Sequence, residues 1–273
     1  MQCRELIEIL EKLAPPDCAC DWDNIGLLAG RSKKKIKRVL IALDADDIAI
    51  DHAIKWGADM LLTHHPLIFK PLKKINDADF ITRRLIKLIQ NDISYYAMHT
   101  NFDAAPGGMA AAAAEKLGLR DLKVLDPQGT VFIKNQEGEA EIPYGIGMAG
   151  NLDSPMTVRE LGKRVKDAFQ LPFLSIYGEE VQDKPVQWIG ISPGSGSSVI
   201  KPGLEAGIKV LITGDIGYHN GIDAAANGMT IMDAGHYGLE YLFMDFMEQY
   251  IKKETGEKLE ICKVDVRFPA TLI

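Results

Sequence analysis

Short apolar runs alternate along the chain with segments whose apolar residues recur at helical spacing. The runs that we interpret as strands are 39–43, 60–63, 93–98, 186–192, 210–213 and 230–234. Strands that are apolar throughout are typical of a parallel sheet covered by helices on both faces. The pattern predicts an α/β fold of two similar lobes, each a mostly parallel sheet with helices on both faces.

The region between these two sets of strands has a different pattern. Residues 130–133 and 144–152 are predicted to be short strands joined by a polar turn. We expect the chain to pass here from a first lobe, 1–125, into a second lobe, 126–273. A long helix is predicted over 238–253, and the sequence allows it to pack either on the second lobe or on the first.

The two lobes are predicted to be copies of one ancestral unit. Residues 39–41 precede 189–191 by 150 positions, and 57–63 precede 207–213 by the same distance. A common offset over two separate strands favours internal duplication over a coincidence between generic strands.

The composition excludes several classes of protein. Hydrophobic residues make up 47% of the chain and charged residues 25%, values that exclude general disorder. The net charge of −7 removes the long-range attraction that usually drives nucleic-acid binding, so we expect no such partner. No apolar run is long enough to span a membrane, and four unevenly placed cysteines do not form a disulfide framework. We expect a reduced, cytoplasmic protein without a signal peptide or a membrane partner.

Four of the six histidines stand where predicted strands end, namely His64, His65, His99 and His236. Ligands of open parallel sheets bind beyond the carboxyl ends of the strands, so these side chains are candidate ligands. His64 and His65 are adjacent, and neighbours on a regular strand point to opposite faces. Either the strand has ended and the chain turns there, or each imidazole serves a different ion.

Two carboxylates accompany these histidines. His236 and Glu240 are four residues apart at the start of a predicted helix, which places them on one face, and Asp103 follows a strand end. With His64 and His65 they make three imidazoles and two carboxylates, too many for one tetrahedral catalytic zinc with an open position. The set suits two divalent ions that share bridging carboxylates and a water, and its mixed N/O donors favour Zn, Mn, Fe, Co or Ni.

Several separated motifs make the chain resemble the Nif-three-like proteins, also called GTP cyclohydrolase I type 2 homologues. The motifs are Trp22-Asp23-Asn24-Ile25-Gly26-Leu27, Thr63-His64-His65-Pro66, His99-Thr100-Asn101-Phe102-Asp103, Gly194-Ser195-Gly196-Ser197-Ser198, Thr213-Gly214-Asp215 and Gly235-His236-Tyr237-Gly238-Leu239-Glu240. The resemblance implies a dinuclear metal site on His64, His65, Asp103, His236 and Glu240. It also implies a toroidal homohexamer whose metal sites face an internal cavity.

Other residues near the strand ends have two or more interpretations. His99 is a candidate catalytic residue, either a donor that orients Asp103 or a proton shuttle, but it is equally compatible with a packed strand-end histidine. Asp44 is either the hydrogen-bond partner of a ligand imidazole or the N-cap of the next helix. Asp23 and Asn24 either approach the site or form a plain turn.

The turn that contains Ser195, Gly196 and Ser197 is a candidate substrate-binding segment. It lies between a predicted strand and a predicted helix, so its backbone N–H groups are suited to a phosphate. No Gly-Lys-Ser/Thr follows, which excludes a Walker loop, and a simple tight turn explains the glycines as well.

The sequence supports a metal-dependent hydrolase that acts on a nucleotide-like or other small phosphorylated molecule, with Glu240 among its catalytic residues. The family resemblance implies the particular case of opening the guanine imidazole ring of GTP with release of formate. The alternative is a metal-binding regulatory or adaptor protein without turnover of its own. A third interpretation is a purely structural histidine cluster, which open-sided His/carboxylate sets rarely form.

Overall fold

The computed structural model describes residues 1–135, 138–178 and 183–271, with side chains described outside 133–139. The chain forms two compact units. The first comprises Met1–Phe102 and Phe243–Arg267, and the second comprises Asp103–Leu242 and the residues from Phe268 onward. Each contains a sheet and helices, which confirms the α/β class and the two lobes. Within the described ranges, none of the helices combines the length and apolarity that a membrane crossing requires.

The first unit is built on a sheet whose described strands are β1 (Gly26–Ala29), β2 (Arg38–Ala42), β3 (Met60–Thr63), β4 (Ser94–Ala97) and β11 (Glu260–Lys263). Their order is β1-β4-β3-β2-β11. All neighbours are parallel except β1, which lies antiparallel to β4 at one edge. The helices of this unit are α1 (Cys3–Leu13), α2 (Asp47–Trp56), α3 (Phe80–Gln90) and α10 (Leu242–Thr255), and α4 (Thr100–Ala104) contains the boundary between Phe102 and Asp103.

Local sequence explains how these helices begin and pack. Leu6 and Leu10 lie one turn apart on α1 and are both fully buried. The carboxylate of Asp46 caps α2 by accepting a hydrogen bond of 2.8 Å from the Ala49 N–H. Gly57 ends α2 with a φ of 70°, a left-handed conformation that favours glycine.

The second unit is built on a sheet whose described strands are β5 (Arg120–Asn135), β6 (Gly138–Thr157), β7 (Ser175–Tyr177), β8 (Pro185–Ser195), β9 (Val210–Gly214) and β10 (Thr230–Asp233). Their order is β5-β6-β8-β9-β10-β7, and β8, β9 and β10 are parallel while the other pairs are antiparallel. The helices that remain are α5 (Met109–Leu117), α6 (Val158–Ala168), α7 (Ile200–Glu205), α8 (Tyr218–Ala226) and α9 (His236–Glu240).

A long antiparallel hairpin, β5–β6, replaces the two short strands predicted at 130–133 and 144–152. The predicted polar turn between them includes 136–137, which lie outside the described residues. The pairing register shifts between Pro127 and Gly129, and a Cβ on Gly145 would lie 2.1 Å from a backbone oxygen of β5. Glycine and proline usually mark the ends of strands, so Pro127, Gly129 and Gly145 led to the prediction of strands shorter than β5 and β6.

The internal duplication is visible in strand register. Leu40 pairs with Leu61 in the first sheet, and Gly190 pairs with Leu211 in the second, so the register is retained under the shift of 150 positions. Each sheet also has three adjacent parallel strands flanked by an antiparallel edge strand, β4-β3-β2 with β1 and β10-β9-β8 with β7. The sequence repeat therefore corresponds to a repeated topology.

The unit boundaries differ from the predicted lobes, 1–125 and 126–273. The first unit ends at Phe102, because the alanine-rich α5 packs against β6 and β8 of the second unit. Asp103 therefore belongs to the second unit, although the prediction grouped it with His64 and His65. The chain returns to the first unit with α10 and β11, and β11 pairs with β2. The continuous helix predicted over 238–253 is two helices, α9 and α10.

The return of α10 to the first unit predicts a contrast between two of its side chains. Ile251 is fully buried and Gln249 is exposed. We expect Ile251→Ala to lower the free energy of unfolding by about 2–5 kcal/mol because it leaves a cavity. Gln249→Ala should change it by less than about 0.5 kcal/mol. Urea unfolding followed by circular dichroism measures both, and equal stability of the two variants would show that α10 does not pack in the core.

Candidate metal-binding residues

Three histidines of the first unit converge beyond the carboxyl ends of β3 and β4. His64 and His65 follow β3, and His99 follows β4. Their ring centroids are 4.9–5.6 Å apart, and one nitrogen of each ring lies within 4.8 Å of a nitrogen of the other two. Three imidazole nitrogens at this spacing form a group that could hold a divalent metal ion.

The adjacent histidines reach one group because β3 has ended at Thr63 and the chain turns. The Thr63 hydroxyl donates to the His65 carbonyl oxygen at 2.8 Å, and the Tyr95 hydroxyl donates to the same oxygen at 3.1 Å. The Leu67 N–H donates in turn to the Tyr95 hydroxyl at 2.7 Å. Of the two arrangements that the sequence allowed, the structure has the one in which the strand has ended.

Hydrogen bonds select the tautomer of the His64 and His65 rings. His64 Nδ1 lies 2.7 Å from the Met98 carbonyl oxygen, and His65 Nδ1 lies 2.8 Å from Asp44 Oδ1. Because carbonyl and carboxylate oxygens accept hydrogen bonds, Nδ1 carries the proton and the lone pair is on Nε2. Metal-ligating histidines commonly have such a partner. Asp44 is thus a histidine partner, while the N-cap of α2 is Asp46.

His99 is held by the buried carboxylate of Asp23. Asp23 Oδ1 lies 2.9 Å from His99 Nδ1, and Asp23 Oδ2 accepts hydrogen bonds from the N–H and the hydroxyl of Thr100 at 3.0 and 2.6 Å. Burial raises the pKa of Asp23, but the hydrogen bonds from His99 and Thr100 outweigh that effect and lower the pKa to about 2. The Asp23 segment is therefore part of the histidine group rather than a plain turn.

The second unit contains a histidine–carboxylate pair on α9, after β10. His236 Nε2 lies 3.1 Å from Glu240 Oε2, and His236 Nδ1 lies 2.9 Å from Asp215 Oδ2. Glu240 is 2% exposed, and Gly194 has a φ of 74° where a Cβ would lie 2.5 Å from Glu240 Oε1, so glycine is required there. Asp103, in the same unit, lies in α4 with its Oδ1 atom buried. These carboxylate and imidazole groups are also suited to a metal ion.

Packing explains much of the predicted substrate-binding turn. A Cβ on Gly196 would lie 1.9 Å from the hydroxyl oxygen of Thr213, so this glycine allows the turn after β8 to approach β9 closely. The Ser197 hydroxyl accepts a hydrogen bond of 3.0 Å from the side chain of Asn220, and Ser195 is exposed. Phosphate binding by this turn stays a prediction.

Two partners of the histidines were not assigned from the sequence. Asp215 directly follows β9 and belongs to the Thr213-Gly214-Asp215 motif, but neither signal gave it a role. It adopts a φ of 51°, which aspartate tolerates better than most residues. The Met98 carbonyl is a backbone group, so no side-chain identity could reveal its contact with His64.

Comparisons with known proteins extend over both units. A family model described as Duf34/NIF3 (NGG1p interacting factor 3) matches residues 1–268. A protein of Clostridium acetobutylicum named GTP cyclohydrolase 1 type 2 homolog is 32% identical over 241 residues, which cover 88% of this chain and 86% of the relative. A protein of the same name from Methanocaldococcus jannaschii is 33% identical over 266 residues, or 97% and 100% of the two chains. The crystal structure of a Bacillus cereus protein related to NIF3 has a TM-score of 0.90 at 25% identity and covers 100% of this chain and 99% of its own.

Two carboxylates contact Nδ1 of proposed metal ligands, Asp44 at His65 and Asp215 at His236, and their removal should lower metal affinity. We expect Asp44→Ala and Asp215→Ala each to weaken metal binding roughly 10- to 100-fold, because the imidazole loses the acceptor that fixes its tautomer and orientation. Competition with a chromophoric chelator measures the affinity. Asp92→Ala, which removes a surface ion pair with Arg31, is the control. If all three variants bound the metal as tightly as the wild type, Asp44 and Asp215 would not be partners of metal-ligating histidines.

The low pKa of Asp23 predicts a pH-dependent contribution to stability. Since the folded state holds Asp23 ionised more strongly than the unfolded state does, the contribution is present above about pH 4 and disappears as the pH falls towards 2. At pH 7 we expect Asp23→Asn to lower the free energy of unfolding by about 2 kcal/mol. Denaturant unfolding at several pH values measures the free energy of unfolding of wild type and variant. The difference between the two free energies should become smaller below pH 4.

The exposed neighbour Asp21 provides a matched control for this measurement. Asp21→Asn should leave stability almost unchanged at every pH. A constant difference between wild type and Asp23→Asn from pH 7 to pH 2 would contradict the electrostatic explanation.

Proposed function

The chain belongs to the Duf34/NIF3 family, and we propose that it is a hydrolase that uses two divalent metal ions. The proposed ligands are His64, His65, Asp103, His236 and Glu240. The proposed substrate is a nucleotide-like or otherwise phosphorylated small molecule. Motif resemblance supports the ligand set, and each position has a residue type that binds such ions.

The orientation of the imidazoles is the observation that carries this proposal. His64, His65 and His236 each have Nδ1 beside an oxygen acceptor, two in the first unit and one in the second. His64 and His65 therefore present Nε2 to a ligand, while His236 has a carboxylate oxygen beside each ring nitrogen, the one at Nε2 belonging to Glu240, itself a proposed ligand. Such Nδ1 partners are typical of histidines that bind metal ions, and all three proposed histidine ligands have one.

The donor set favours two ions over one. Three imidazoles and two carboxylates exceed the ligands of a tetrahedral catalytic zinc with an open position. Carboxylates are able to bridge two cations, and a mixed N/O set suits Zn, Mn, Fe, Co or Ni better than Ca or Mg. No thiolate belongs to the proposed set, which is unlike the common structural zinc sites.

When bound, two divalent ions supply an acidified water and a Lewis acid for the attacked carbon or phosphorus centre. The chain contributes a proton acceptor, because Asp23 holds Nδ1 of His99 and so leaves Nε2 as the atom that takes up or returns a proton. Glu240 contributes a buried carboxylate, whose oxygen lies against Nε2 of His236.

The names of the relatives support a purine nucleotide as the first substrate to examine. They are called GTP cyclohydrolase 1 type 2 homologs, and for GTP we propose hydrolytic opening of the guanine imidazole ring with release of formate. We further propose that copies of the chain form a toroidal homohexamer in the cytoplasm, as the family resemblance implies.

Metal analysis and a substrate panel test the hydrolase proposal. The protein is purified without chelator, its metal content is measured by mass spectrometry, and hydrolysis of GTP and simple phosphoesters is assayed with added Mn, Zn, Fe or Co. We expect metal-dependent turnover that chelation abolishes. Glu240→Gln should reduce kcat at least roughly 100-fold because it removes a negatively charged metal ligand.

Glu205→Gln is the matched control, since Glu205 lies on the exposed surface of the same unit. It should retain wild-type turnover. Stable metal binding without turnover of any substrate would favour a regulatory or adaptor protein. Well under one ion per chain would reject both functions.

A further inference from the structure

Two exposed aromatic side chains lie against His99. Trp22 is 63% exposed and Phe69 is 48% exposed, although large aromatic groups are favoured in cores and interfaces. The His99 ring centroid is 5.9 Å from that of Trp22 and 5.6 Å from that of Phe69, with interplanar angles of 74° and 84°. Both aromatic side chains thus border the histidine group while much of their surface contacts solvent.

Hydrogen bonds hold the two loops that carry these rings. Trp22 is followed by Asp23, whose buried carboxylate accepts the hydrogen bonds described above. The next residue, Asn24, donates from its side-chain amide to the carbonyl of Ile68, which directly precedes Phe69. Because the loops are joined before any ligand arrives, the backbone that carries the two rings loses little conformational freedom on binding.

We propose that Trp22 and Phe69 form a stacking platform for a planar nitrogen heteroaromatic ring, as found in a nucleobase. Such a ring has flat π-faces that stack on aromatic side chains, and stacking accepts any base. The inference rests on the proposed function and narrows its substrate to a nucleotide or nucleoside rather than any phosphoester. The neighbouring His99 would then lie beside the ring of the substrate.

Phe80 shows that exposure alone does not define this platform. It is 52% exposed and belongs to the same unit, but its ring contacts the Arg84 guanidinium at 5.0 Å. Trp22 and Phe69 are distinguished by their contacts with a histidine of the candidate metal-binding group. Phe80→Ala is therefore a matched control for the loss of an exposed aromatic ring.

Calorimetric titration of the purified, metal-bearing protein with GMP, AMP and ribose 5-phosphate tests the proposal. We expect the wild type to bind both nucleotides more tightly than ribose 5-phosphate. Trp22→Ala and Phe69→Ala should each weaken nucleotide binding roughly 5- to 100-fold and leave ribose 5-phosphate binding unchanged. Trp22→Phe should retain most of the affinity, and Phe80→Ala should retain all of it.

Equal or undetectable nucleotide affinity in wild type and Trp22→Ala would overturn the proposal. A lower oligomeric mass of Trp22→Ala by light scattering, with unchanged affinity, would also overturn it and assign the rings to a subunit contact. Nucleotide binding that depends on Trp22 in a protein without turnover would support the platform and reject the hydrolase. Nucleotide turnover that is the same in Trp22→Ala as in the wild type would support the hydrolase and reject the platform.

Discussion

An oxygen acceptor at Nδ1 of His64, His65, His99 and His236 is the constraint on which the candidate metal-binding residues depend. A neutral imidazole has one N–H and one lone pair, and a buried N–H needs an acceptor. The acceptors are one backbone carbonyl and three carboxylates, contributed by Met98, Asp44, Asp23 and Asp215. For His65 and His99 the carboxylate at Nδ1 leaves the lone pair on Nε2, whereas His236 has a second carboxylate, that of Glu240, beside its Nε2.

The central strands could be predicted because their sequences are apolar throughout and the structure buries their side chains on both faces of the sheet. The run at 60–63 became β3 with the same bounds, since every side chain of that strand is buried. Edge strands lack this signal. β1 and β11 are only partly buried, so neither was predicted as a strand, and the return of 260–263 to the first sheet depends on pairing with a strand far away in sequence.

The histidine group was partly predictable for a related reason. Strand ends in a parallel sheet meet at one edge, so the sequence predicts that His64, His65 and His99 lie near each other. The partner atoms were harder to assign. Asp44 and Asp46 both follow β2, and only tertiary contacts decide that the first meets an imidazole while the second caps α2.

The duplication explains why neither half contains the whole proposed ligand set. Under the shift of 150 positions, Thr63 corresponds to Thr213, and His65 corresponds to Asp215. His65 is a candidate metal ligand, whereas Asp215 is the acceptor that orients a different one. Strand pairing fixes the register within each sheet but imposes nothing on the residues just beyond it, so these positions were able to diverge while the scaffold was retained. One half has become rich in imidazoles and the other pairs an imidazole with a buried carboxylate. The proposed ligand set contains both neutral and anionic donors because the two copies diverged at these positions.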